Sequence, residues 1–149
     1  MKNSASDKYA LLLRLNPIHW PVWKKYITPD QEYSVWFKIG RRKSEEIEPG
    51  IPVVVLGTHE LGILAKGETG TGIEFRSDPD WDQASQGWQE EYKRPCNRVC
   101  VKVKGVKVPL AELNKYPTLE GLHKRRETTT WLNSEQYYEI ISLIRKVQS

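Results

Sequence analysis

Residues 97–104 read NRVCVKVK, and the alternation is strict. Val99, Val101 and Val103 fall on one side, and Arg98, Cys100, Lys102 and Lys104 on the other. A period of two is that of a β-strand with one face packed and the other toward water. Upstream, residues 51–56 (IPVVVL) are apolar without a break, which predicts a strand buried on both faces. Residues 32–39 (EYSVWFKI) are β-branched and aromatic, another strand. Residues 61–66 (LGILAK) pair with the apolar run after a reversal, and the glycines of GETGTG (67–72) extend that strand as a hairpin or bulge. Residues 8–15 (KYALLLRL) suit a central strand, and 128–132 (TTTWL) a last one.

Helical signals fall between and after these strands. Asn16-Pro17 ends the first strand and opens a segment in which Trp20, Trp23 and Tyr26 are spaced by three. Residues 44–47 suit one helical turn, 109–116 (PLAELNKY) a short helix, and 118–123 another turn. Asn133 or Ser134 caps a final helix whose Tyr137, Ile140, Ile141, Ile144 and Val147 share one face. No βαβ rhythm is present. The expectation is an α+β domain: a small mixed, mostly antiparallel β-barrel of about six strands with flanking helices and a C-terminal helix. Residues 1–7 are a polar tail and 8–149 the domain.

The chain has 149 residues, 38% hydrophobic and 28% charged, which suits one domain with one core. Its apolar runs are too short to cross a bilayer, and its first residues lack the apolar stretch of a secretion signal, so no membrane is expected and a cytoplasmic setting is. Cys96 and Cys100 lie four apart and read as two unbridged thiols. The net charge is +4, with basic clusters at Lys38–Arg41–Arg42–Lys43, Lys102–Lys104–Lys107 and Lys124–Arg125–Arg126. That balance is compatible with a polyanionic partner. Six Trp and seven Tyr against two Phe favour sites where an apolar body meets a polar partner. The polar stretch 76–93 holds Trp81, Trp88 and Tyr92, which argues for an ordered, contacting loop.

Catalytic signatures are missing. There is no nucleophile elbow, zinc-protease helix, phosphate loop or dinucleotide fingerprint. His19, His59 and His123 stand singly. Asp78, Asp80 and Asp82 alternate, but without the glycine and distant glutamate of a calcium loop. The chain therefore reads as a binding module, not an enzyme, with no metal and no cofactor.

The order of elements resembles the EVE domains. LLLRLNPIHW is similar to their opening strand, Asn-Pro and early Trp; EYSVWFKIGRRKSEEIEPGIPVVVL to their aromatic strand, basic segment and apolar strand. LGILAKGE, DPDWD, NRVCVKVKGVKVPLAEL and LHKRRETTTWLNSEQYYEI resemble the blocks that follow, so the likeness runs from Tyr9 to Ile144. It is strongest to EVE domains attached to modification-dependent restriction nucleases. Where many members carry a glycine and an asparagine after this Trp, Lys38 and Arg41 stand here.

The resemblance implies a PUA-like barrel that binds nucleic acid. It implies that a methylated or hydroxymethylated cytosine of double-stranded DNA is flipped into an aromatic pocket, with an effector nuclease or NTPase as a companion. RNA binding, or a small-molecule or protein-interaction role, are the alternatives. Flipping costs a few kcal/mol, which stacking at about 1–3 kcal/mol per base must offset. Flat walls are therefore required. Trp36, Trp81 and Trp20 are the wall candidates, with Phe37 beside Trp36. Thr128 and Thr129 are candidates for the base edge, and Lys38, Arg41, Arg42, Arg125 and Arg126 for phosphates.

Overall fold

The computed structural model describes residues 8–39, 47–59, 61–119, 122 and 129–148; the expected tail and most of the helical turn at 44–47 lie outside them. Among the described residues seven strands form one sheet: β1 (Ala10–Leu15), β2 (Glu32–Lys38), β3 (Pro52–Gly57), β4 (Gly62–Thr69), β5 (Glu74–Arg76), β6 (Cys96–Val108) and β7 (Thr129–Leu132). β5 is the strand the sequence reading lacked. The order is β2-β6-β4-β3-β1-β7, and β5 pairs with the start of β6. β1 and β3 run parallel, and every other pairing of strands is antiparallel. The helices are α1 (Trp23–Tyr26), α2 (Gln89–Lys93), α3 (Leu110–Leu113) and α4 (Ser134–Gln148). None of the described helices is long and apolar enough to cross a membrane.

The unbroken apolar runs are explained by two cores, one on each face of the sheet. Leu11, Leu13, Val53 and Val55 enter the first; Leu12, Val54 and Leu56 enter the second. A strand so sandwiched cannot alternate, since each fully buried Val or Leu contributes about 1.5–3 kcal/mol. The first core also takes Val35 and Phe37 from β2, and Val99, Val101 and Val103 from β6. Residues from nearly opposite ends of the strand order thus share one interior, so the sheet curls around it. Among the described strands β2 pairs only with β6, so the curl is a barrel left open beside β2. Register slips at Val55/Leu56 and Ile63/Ala65 mark bulges, which increase bend and twist.

The second core lies outside the curl, under α3 and α4, where Leu113, Ile140, Leu143 and Ile144 pack. The cap of α4 is Asn133: its Oδ1 accepts the Gln136 N–H at 2.8 Å, and Gln136 Oε1 accepts the Asn133 N–H at 3.0 Å. Entry to β2 is fixed at Gly105, whose N–H donates to Gln31 and whose carbonyl accepts from Asp30. A Cβ on Gly105 would lie 2.0 Å from the Thr28 carbonyl oxygen. Gly105→Ala is therefore expected to lower stability by at least the ~1–3 kcal/mol typical of overpacking. Chemical denaturation checks this: an unchanged midpoint would mean that the turn yields freely.

Candidate functional site

A cavity of about 450 Å³ opens where the barrel is incomplete. One side is the end of β1 and the turn after it, with Arg14, Leu15, Asn16, His19 and Trp20. The second is β2, with Val35, Trp36, Phe37 and Lys38. The third is the segment between β5 and β6, with Asp78, Asp80, Trp88, Glu91 and Tyr92; Arg98 and Thr58 complete it. The volume falls within the roughly 300–1,000 Å³ of small-molecule pockets.

The turn after β1 is built by Asn16. Its Oδ1 accepts the Ile18 N–H at 2.9 Å, and its carbonyl accepts from His19 and Trp20 at 3.2 and 3.1 Å. This bends the chain back and swings Trp20 into the first core. His19 stacks on Trp88, ring centroids 3.5 Å apart and planes 28° from parallel. The His19 carbonyl also accepts the Ser85 N–H at 2.9 Å, so the turn and the 77–95 segment hold each other.

That segment is anchored by Arg98, 3% exposed. Its guanidinium donates to the carbonyls of Arg76 (3.0 Å), Tyr92 (3.0 Å) and Arg94 (3.4 Å), and lies 3.9 Å from the Asp78 carboxylate. Burial pushes the Asp78 carboxyl above the usual range, outweighing the Asp80 N–H and the Arg98 charge, which pull it down. Asp78 is thus turned inward as a loop-organising group, and the alternating aspartates do not assemble a cation site. No cluster of three metal-ligating side chains occurs among the described residues. Arg14, also buried, donates to Thr130 Oγ1 at 2.6 Å and to the Leu122 carbonyl at 2.7 Å.

Trp36, Trp20, Phe37 and Lys38 are thus brought together around one cavity. Trp36 has the Arg76 guanidinium 4.3 Å from its ring centroid, so one ring face is already covered. Lys38 is at the rim, its ammonium 3.7 Å from Glu91. Trp81 is not among the lining residues; it begins a 3₁₀ turn and carries the Lys93 ammonium 4.6 Å from its ring. Trp88 stands at the wall instead. Thr129 is buried on β7 and does not line the cavity. Thr128, Arg41, Arg42, Arg125 and Arg126 lie outside the described residues. Sequence reasoning missed His19, Arg14 and Arg98. For His19 the one available signal was its place beside Asn-Pro, and Arg98 sat among positions that read as solvent-facing.

No protein-family model matches the chain, and no curated protein matches it in sequence. Solved structures do match in fold. A hypothetical protein from Leishmania major superposes with a TM-score of 0.63 at 17% identity, covering 97% of this chain and 99% of that one. ASCH from Zymomonas mobilis gives 0.56 at 13% identity, covering 92% and 96%. Human THYN1, solved in complex with 5-methylcytosine-containing DNA, gives 0.55 at 16% identity, covering 90% and 96%. The fold is PUA-like. At these identities the likeness concerns architecture.

Desolvation, and then the charge of His59, hold the His19 imidazole below its ordinary value of 6.5. A histidine with a lowered folded-state pKa binds fewer protons folded than unfolded. Its contribution at neutral pH is therefore lost as pH falls past about 6.5 and on through the folded value. In an NMR titration His19 is expected to have a midpoint below 6.5, moving upward in His59→Ala. A midpoint at or above 6.5 would contradict this electrostatic account.

Proposed function

We propose that this chain is a nucleic-acid-binding module that takes one flipped-out base of duplex DNA into the cavity beside β2. The base is a modified cytosine, methylated or hydroxymethylated. The observation that carries the reading is one cavity of about 450 Å³ that combines flat aromatic walls with fixed polar groups and a rim cation. A base needs that combination: stacking to replace its lost neighbours, polar groups for its edge, and positive charge for the flanking phosphates. THYN1, a protein of the same fold, has been solved with 5-methylcytosine-containing DNA, which supports the same class of ligand here.

Trp36 supplies the ring on one side and the His19–Trp88 stack lies on another; Lys38 exchanges Glu91 for a phosphate. An exposed ion pair of this kind is worth about 0–1 kcal/mol, so the exchange costs little. The module acts by binding and leaves the strand intact. The sequence resemblance to EVE domains of restriction systems fits a role as the reading head of a separate effector nuclease or NTPase.

A panel of oligonucleotides tests the proposal: duplex DNA with cytosine, 5-methylcytosine or 5-hydroxymethylcytosine, and RNA with and without modified bases. Modified duplex is expected to bind best, more weakly as salt rises, and to be recovered uncut. Trp36→Ala is expected to weaken binding by roughly tenfold to a hundredfold, the loss of about 1–3 kcal/mol of stacking. Equal affinity for modified and unmodified duplex, or preference for RNA, would refute the cytosine reading.

A further inference from the structure

The ladder between β2 and β6 fixes which main-chain groups of β2 face the cavity. The Ile39 N–H donates to the Asn97 carbonyl at 2.8 Å, and the Gly105 N–H to the Gln31 carbonyl at 3.0 Å. With Phe37 opposite Val99 and Val35 opposite Val101, and no register slip between, the odd-numbered residues of β2 bond to β6. The N–H and C=O of Ser34, Trp36 and Lys38 point the other way, to the strand's second edge. No described strand pairs with that edge. Val35, Trp36, Phe37 and Lys38 all line the cavity although their side chains alternate between faces. Consecutive lining of this kind means that the strand borders the cavity with its edge. Ser34 is not among the lining residues and Lys38 sits at the rim, which leaves Trp36 as the residue presenting its main chain to the interior.

We infer that the N–H and C=O of Trp36 together form the hydrogen-bonding edge that reads a base in this cavity. The inference rests on the proposed function and names the recognising atoms. One edge-facing strand residue offers a donor and an acceptor side by side. The pairing edge of cytosine offers the complement, an acceptor ring nitrogen beside an exocyclic amine. Neither group is altered by a substituent at C5, so the main chain reads the ring while the walls of the cavity judge the substituent. A main-chain donor and acceptor held by a strand are pre-organised, and a base that mismatches them leaves buried polar groups unpaired, at about 1–3 kcal/mol each. Discrimination of this kind survives side-chain substitution.

Amide hydrogen exchange read residue by residue by NMR tests it, with binding followed independently by fluorescence anisotropy. In the free protein the Val35 and Phe37 amides are expected to exchange slowly and the Trp36 amide quickly. Saturation with a short duplex carrying one central 5-methylcytosine is expected to slow Trp36 by roughly tenfold or more, with Val35 and Phe37 little changed. Trp36→Phe, which keeps the main chain, is expected to show the same slowing at position 36 once saturated. Binding of the duplex with the position 36 amide still exchanging freely overturns this inference alone. Failure of every oligonucleotide to bind overturns the proposed function and this inference with it.

Discussion

Strand β6 holds three partners at once, and both movable-looking walls of the cavity hang from it. β2 lies along residues 98–104 of β6, β5 along 96–98, and β4 along 101–108. Val99, Val101 and Val103 face the interior of the curl, whereas Val106 and Val108 serve the second core under the helices. The strand is thus locked by apolar burial at both ends. Its first residues can then act as a fixed bracket: β2 on one side, and the 77–95 segment tied through Arg98 above. A cavity between two elements bracketed to the same strand keeps its width, because neither can shift without breaking the ladder or exposing the guanidinium.

The elements whose physics is local were legible in the sequence. Alternation at 99–104, the unbroken apolar run at 51–56 and the apolar face from Tyr137 to Ile144 each report a burial pattern, and burial is what the structure satisfies there. Trp36, Trp20, Phe37 and Lys38 came from strand and turn positions, which the sheet places reliably. β5 was not legible because three residues with two exposed side chains leave no period to detect. The split between Trp81 and Trp88 was equally hidden. Both sit in the same polar stretch, and which ring reaches the wall depends on the contacts of Arg98 with Arg76 and of Ser85 with His19, made between residues distant in sequence.

Charge is the signal that misled most. Arg98 sits in an alternating basic strand and reads as solvent-facing, yet it is buried and donates to three carbonyls. Arg14 is likewise held inside by Thr130 and Leu122. Arg76 lies over Trp36, and Lys93 over Trp81. These four cations stabilise the site's own architecture, so a net charge of +4 says little about phosphate contacts. Lys38, exposed and only loosely paired, is the described cation at the rim whose partner can change.

An open barrel edge is normally a hazard, since unpaired N–H and C=O groups invite another strand to add itself. Proteins commonly blunt such edges with proline, a bulge or inward charge, and β2 has none of these between Tyr33 and Phe37. It is shielded laterally instead. The Asn16–Trp20 turn and the His19–Trp88 stack stand opposite the edge, and the distance between walls is set by the bracket on β6. A strand needs several residues of straight approach along the edge, and the walls of the cavity stand along Val35 to Lys38. A single planar ring needs only the width of the cavity. The same arrangement that protects the edge from other chains therefore selects the shape of what is allowed to reach it.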